Sequence, residues 1–245
     1  MENAPAGEMR GPNTQSAQDV IKFPPLMHRE GSIGYIEKMV IGAFLVISRP
    51  RLVIETGTFN GDTTRFIADY IALNQLPVCR IVTFDMPEIL QALRKSDPYF
   101  SNHQEIEFIP GLLPRSLELF LSSVDQPVDF AIIDATHAYL PVMQELLLIH
   151  PLLKKEGYIY CHDYREHDPD YEGTVCAVDR FAASHHYGKI ALNSVGTVWG
   201  SALLRKPSQR YSTLRHAYYS YALRTFPFLR RLHPKGLRET PSRAG

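Results

Sequence analysis

Residues 53–64 read VIETGTFNGDTT, an apolar run that ends on an acid and passes into a glycine-bearing turn. Val53-Ile54 reads as the end of a buried strand and Asp62-Thr63-Thr64 as the capped start of a helix, with Gly57 and Gly61 in the turn between them. A strand–turn–helix of this kind offers backbone N–H groups and a glycine-cleared surface to a ligand. Glu55 adds a fixed negative charge at the strand tip. A carboxylate there repels a pyrophosphate and attracts an ammonium, which points to a nucleoside that carries an amino acid. The spacing also departs from G-x-G-x-x-G, which counts against NAD or FAD. The bland alternative is a pair of glycines serving only a tight turn.

Outward from this stretch, strand and helix patterns alternate. Apolar residues at helical spacing (Ile36, Met39, Val40, Ala43, Phe44) predict a helix over 31–48, lying over the sheet edge. Strands are expected at 52–54, 80–84, 106–109, 128–133 and 158–161. Helices are expected at 62–74, 87–95, 114–121, 139–153 and 174–184, and a closing strand pair at 189–193 and 197–204. Lys154, Lys155 and Gly157 read as the C-terminal signature of the 139–153 helix. The 128–133 run is apolar apart from Asp129, as suits a strand buried on both faces. Repeated strand–helix units imply an α/β fold, a doubly wound and mostly parallel sheet with helices on both faces.

The chain of 245 residues, 44% of them hydrophobic, is long enough to bury a sizeable core. Three segments are expected: a disordered polar leader over 1–20, one α/β domain over 21–205, and a basic helical extension over 206–245. Net charge is zero, yet residues 201–245 hold ten Lys/Arg and one acid, Glu239. That tail reads as a helix covering an apolar edge or a homodimer interface, with contact to a membrane surface as the alternative. It matches no nucleic-acid module, so no nucleic-acid partner is expected. Cys79, Cys161 and Cys176 lack close pairing and C-x-x-C spacing, and read as reduced thiols of a cytoplasmic protein. The N-terminus lacks the order of a signal peptide, and no apolar run has the length of a transmembrane segment.

In doubly wound sheets the ligand sits beyond the carboxyl ends of the strands. The tips here are Glu55, Asp85, Pro110-Gly111, Asp134 and His162-Asp163. Acids gathered at one sheet edge repel one another and need cations or donors. Asp85, some 30 residues after Glu55, is placed to accept both hydroxyls of a ribose, or to cap the helix that begins at Pro87.

At these residues the sequence resembles the class I S-adenosylmethionine-dependent methyltransferases, over roughly 31–205. VIETGTFNGDTT is similar to their first motif, IVTFDMPE to their second, and FIPGLLPRSL to the loop beside the adenine. The segment VDFAIIDATHAYLPVMQELLLIHPLLKKEGYIYCHDY resembles a subgroup reading I-D-G-D-H-S-Y … G-G-x-I-x-x-H-D-Y, which includes small-molecule and sugar O-methyltransferases. It departs from that pattern at Ala135-Thr136, where Gly-Asp is usual. The resemblance implies a Rossmann-like seven-stranded sheet whose final strand is antiparallel. It implies that Glu55, Gly57, Thr58 and Gly61 hold the methionine end of S-adenosyl-L-methionine and Asp85 its ribose. Met86, Gly111 and Leu112 would lie near the adenine, with Asp134 also at the cofactor.

Asp134 and Asp163 offer hard oxygen ligands suited to Mg²⁺, while His162 suits a softer divalent cation. The resemblance puts a metal at Asp134, His162 and Asp163. Methyl transfer to oxygen requires the nucleophile to lose its proton, for which a neutral imidazole is well matched. His137 stands where the resemblance places a proton-accepting Lys or a site His, and is the expected general base, beside Asp134. The expected activity is methyl transfer to a hydroxyl of a small molecule, a sugar, phenol or secondary metabolite. Two other readings stay open: a regulatory protein that binds the cofactor without turnover, and a metal-dependent hydrolase built on Asp134, His137, His162 and Asp163.

Overall fold

A computed structural model of the chain describes residues 21–25, 31–77, 79–193 and 200–208. The expected leader over 1–20 and the expected extension beyond residue 208 lie outside the described residues.

Five strands run parallel: β1 (Leu52–Thr56), β2 (Arg80–Asp85), β3 (Ile106–Pro110), β4 (Val128–Ile133) and β5 (Leu153–His162). With β6 (Gly188–Asn193) and β7 (Gly200–Arg205) they form a seven-stranded sheet in the order β3-β2-β1-β4-β5-β7-β6. Only β7 opposes the rest, pairing antiparallel with both β5 and β6. The chain winds outward from β1 to β3 and returns to β4 on the other side of β1. The switch point where ligands bind in such sheets therefore lies between β1 and β4.

Side chains alternate across the strands and divide the core in two. Leu52, Ile54, Ala131, Ile133 and Cys161 join the cluster under α5 (Arg115–Ser123), α6 (Tyr139–Ile149) and α7 (Glu172–His185). Val53, Phe130, Ile132 and Tyr160 join the opposite cluster, under α1 (Tyr35–Ser48), α2 (Asp62–Leu73) and α3 (Pro87–Ser96). Period-two alternation with both faces buried is what makes β1 and β4 read as unbroken apolar runs. Asp129, the exception, accepts hydrogen bonds from Arg51 N at 2.8 Å and Leu52 N at 3.1 Å and pairs with Lys154 Nζ at 2.7 Å. It ties the start of β1 to β5.

Several boundaries differ from those the sequence predicts. α6 ends at Ile149, and β5 begins at Leu153. Lys154, Lys155 and Gly157 thus lie inside a strand and do not close a helix. Leu153 pairs with Val128 but Tyr158 with Phe130, so the intervening residues bulge out of register. A Cβ on Gly157 would meet the carbonyl of Lys154 at 2.9 Å and that of Asp129 at 3.1 Å, so the bulge favours glycine there. α1 lies over β4 and β5 in the middle of the sheet, away from its edge. A short helix, α4 (Tyr99–Asn102), has no counterpart in the sequence reading. Gly61, at φ 72°, is the N-cap of α2, and Asp62 is its first helical residue. Asp62 pairs with buried Lys38 of α1 at 2.5 Å, joining the two helices beside the turn.

Candidate active site at the carboxyl ends of the strands

Register brings the acids named from the sequence to one edge. Glu55 stands opposite Thr83 and Ile132, and Asp85 opposite Pro110. Ile133 stands opposite Cys161, so Asp134 and His162 are the next pair out.

The turn after β1 is held by bonds to the end of β2 and by one within itself. Gly57 N and Thr58 N both donate to Phe84 O, at 2.9 and 3.3 Å, and Gly61 N donates to Thr58 O at 2.8 Å. Phe59 N donates to Asp85 Oδ2 at 2.8 Å. The sequence reading expected these N–H groups to face a ligand; instead they fix the turn. Gly57 adopts φ 89°, and a Cβ there would lie 2.4 Å from Asp134 O. Only glycine lets the turn press against the tip of β4 in this way.

Glu55 is buried and accepts hydrogen bonds from Thr64 Oγ1 and, at 2.7 Å, from Thr83 Oγ1. Burial pushes its carboxyl up to about 8, against the pull of these two hydroxyls, with Asp134 and Asp85 adding repulsion. No cation pairs with Glu55 among the described residues. A buried carboxyl satisfied only by hydroxyls is a ready partner for a ligand ammonium. The two oxygens of Asp85 accept from Phe59 N and from Met86 N (2.7 Å), each retaining a lone pair for a ribose hydroxyl. Met86 caps α3, a role the sequence reading offered to Asp85. Gly111 N donates to Asp85 O at 3.0 Å, bringing the end of β3 to the same place. Leu112 is 70% exposed and, with Gly111, edges a groove of about 600 Å³ bounded by Arg80, Ile109 and Phe120. That groove lies along α5 and does not reach Glu55, Asp85 or Asp134.

A second cluster stands across the switch point. His162 is buried, with Nδ1 2.7 Å from Asp134 Oδ1 and 3.2 Å from Asp163 Oδ2, and Nε2 3.4 Å from Glu37 Oε2. Burial opposes its charge, but the surrounding carboxylates, Asp134 foremost, outweigh burial and hold the imidazole well above its usual range. Burial also raises Asp134, partly offset by His162. His137 Nε2 lies 2.7 Å from Asp163 Oδ2, and Arg165 Nη2 lies 2.5 Å from Asp163 Oδ1. Burial would raise Asp163, yet hydrogen bonds from His137 and His162 drive it well below the carboxylate range. Asp163 adopts φ 54°, in the left-handed region that Asp enters more readily than most residues. The ring of Tyr171 packs against His137 at 4.5 Å and under the Arg165 guanidinium at 3.8 Å.

Asp134, His162 and Asp163 present ligand atoms within 4.8 Å of one another, compact enough for a metal ion. The oxygens of Asp163 and Oδ1 of Asp134 nevertheless already accept from cationic or ring nitrogens. As arranged, the donor set fits a divalent cation poorly, since the ion would share these oxygens with the Arg165 guanidinium and two imidazoles.

Glu37, Arg165 and Tyr171 were not found from sequence. Arg165 directly follows the His162-Asp163-Tyr164 run and carried a local signal. Glu37 comes from α1, 125 positions before His162, and carried none.

A family profile described as a methyltransferase domain matches residues 54–164, somewhat under half of the chain. An O-methyltransferase of Aspergillus hancockii, hkm8, is 30% identical over 121 residues, which is 49% of this chain and 46% of that protein. The match thus spans less than half the length of that curated relative. Among solved structures, the O-methyltransferase from Bacillus cereus in complex with S-adenosylhomocysteine superposes with a TM-score of 0.59 at 20% identity, covering 73% of this chain and 84% of that one. TomG from Streptomyces achromogenes, an O-methyltransferase of tomaymycin synthesis in complex with S-adenosylmethionine, gives 0.56 at 15% identity, covering 72% and 82%. At these identities the structural likeness establishes the fold. The profile match places the likeness to a methyltransferase domain on the stretch that runs from β1 past the end of β5.

Proposed function

We propose that the chain transfers a methyl group from S-adenosylmethionine to a hydroxyl of a small molecule, with His137 as general base. The observation that carries this is the His137–Asp163 pair, 2.7 Å apart, across the switch point from the buried Glu55. S-adenosylmethionine, when bound, supplies an electrophilic methyl group on its sulfonium. Glu55 would hold the ammonium of its methionine end, Asp85 the ribose hydroxyls, and Gly57, Thr58 and Gly61 the wall between them. Met86, Gly111 and Leu112 would border the adenine. With Asp163 accepting from Nε2, the basic lone pair of His137 lies on Nδ1. Nδ1 takes the hydroxyl proton as the oxygen attacks, and Asp163 steadies the imidazolium that results. General-base help of this kind contributes about 10²–10⁴ in rate, and alignment of the reacting atoms contributes the rest. His137 is 43% exposed, so an acceptor reaches it from solvent.

The test is formation of S-adenosylhomocysteine against a panel of catechols, sugars and other hydroxylated metabolites. Turnover that disappears in His137→Ala supports the assignment. Cofactor binding with no turnover on any acceptor overturns it and favours a regulatory protein.

A further inference from the structure

We propose that the chain's own cations hold the Asp134–His162–Asp163 cluster closed, Arg165 foremost, so that the site works without a divalent metal. This rests on the methyl-transfer reading for its purpose, although the metal chemistry is tested independently of turnover.

The cluster is as compact as a metal site, with ligand atoms within 4.8 Å. What distinguishes it is which groups its oxygens already face. Arg165 Nη2 donates to Asp163 Oδ1 at 2.5 Å, and His137 Nε2 lies 2.7 Å from Asp163 Oδ2. His162 Nδ1 meets Asp134 Oδ1 at 2.7 Å. Asp163 therefore has a cation or an imidazole on each oxygen before any ion arrives. A dication seated here would stand beside the Arg165 guanidinium, and like charges at such separations repel strongly in a partly buried site.

Arg165 is not free to withdraw. Its guanidinium lies 3.8 Å over the Tyr171 ring, and its Nη1 is 3.7 Å from Asp168 Oδ2. The side chain is only 18% exposed. Tyr171 in turn packs on His137, so the residue that neutralises Asp163 also fixes the imidazole that Asp163 orients. A divalent ion of the hard class would have to share both Asp163 oxygens and Asp134 Oδ1 with a guanidinium and two imidazoles that already bond them. Arg165 is on this reading a positioning residue that stands where a metal's charge would otherwise be needed.

The experiment is titration of the full chain with Mn²⁺ and Mg²⁺, without cofactor or acceptor, read by calorimetry and by Mn²⁺ electron spin resonance. The wild-type chain is expected to show no saturable site at the cluster tighter than about 1 mM. In Arg165→Met, Mn²⁺ should bind at least about tenfold more tightly, because the competing charge is gone; Arg165→Lys should keep the site closed. Micromolar binding of one ion to the wild type, lost in Asp134→Asn, would overturn the proposal. So would an Arg165→Met chain that binds Mn²⁺ no better than the wild type. Wild-type binding that survives in Asp134→Asn maps to another place and leaves the cluster closed. A chain that fails to bind S-adenosylhomocysteine would remove the methyl-transfer reading and leave these metal results intact.

Discussion

The α-carbon of Gly57 faces the carbonyl of Asp134 so closely that a Cβ would lie 2.4 Å from that oxygen. The turn after β1 and the tip of β4 are thereby locked together, and the proposed cofactor site and base cluster share one backbone contact. Gly57→Ala combines this clash with an L residue at φ 89°. Strain of this kind costs about 1–3 kcal/mol. The substitution is expected to lower the denaturation midpoint and to abolish S-adenosylhomocysteine binding. A variant that binds with wild-type affinity would show that the contact does not shape the site.

The buried Glu55 makes both stability and binding depend on pH. Its carboxyl is pushed from 4.5 up to about 8 in the folded chain. Between those values the folded state keeps a proton that the unfolded state has released. Stability of the free chain therefore falls as pH rises towards 8, by about 1.4 kcal/mol per pH unit while only the unfolded group is ionised. Glu145, pushed up to about 7 by burial, contributes with the same sign. An ammonium bound at Glu55 favours the ionised carboxyl, so affinity for S-adenosylhomocysteine should rise from pH 6 to pH 8. Glu55→Gln should flatten that rise and remove part of the stability slope. An affinity that is flat over this range in the wild type would refute the ammonium role.

Much of this site was legible because the signals are local. Glu55, Gly57 and Gly61 lie within seven positions, and their spacing marks the turn, although its bonds run to Phe84 and Asp85 of β2. Asp85, Asp134 and His162-Asp163 were found because each ends an apolar strand, and parallel register aligns such ends. The α6–β5 boundary was misread because Lys154, Lys155 and Gly157 carry the composition of a helix end. Gly157 is needed where the bulge folds the strand back on the Lys154 carbonyl, with Asp129 O of the neighbouring strand close behind, and composition alone does not display such a bulge. The same holds for Glu37, which reaches His162 only through the packing of α1 over the sheet. The ligand reading of His162 came from residue type, whereas its carboxylate neighbours come from three separate elements.

The His137–Asp163 pair assigns distinct kinetic effects to its members. His137→Ala should lower turnover by about 10²–10⁴ while leaving cofactor affinity within a few-fold. Asp163→Asn should lower turnover, since the imidazolium loses its stabilising charge. Rates from both variants across pH 6–9, with calorimetry alongside, check this. Loss of cofactor binding in His137→Ala would mean that the residue belongs to the cofactor site instead.

Asp129 is expected to matter only for folding. It serves Arg51 N, Leu52 N and Lys154 Nζ at the amino ends of the strands, opposite the proposed active site. Hydrogen bonds to a charged group are worth about 1.5–3 kcal/mol, so Asp129→Ala should destabilise by at least that much. Denaturant unfolding measures the loss, and the fraction still folded should bind cofactor normally. Unchanged stability would show that the bulge in β5 needs no clamp.

The most direct test of the proposed cofactor site is calorimetric titration of S-adenosylhomocysteine into the wild-type chain and Asp85→Ala, in Mg²⁺ and again in EDTA. The expected result is micromolar binding to the wild type in both buffers, weakened in Asp85→Ala by the loss of an acceptor for the ribose. Absence of binding in either buffer, with the chain shown to be folded by circular dichroism, would contradict the assignment and leave only the α/β fold standing.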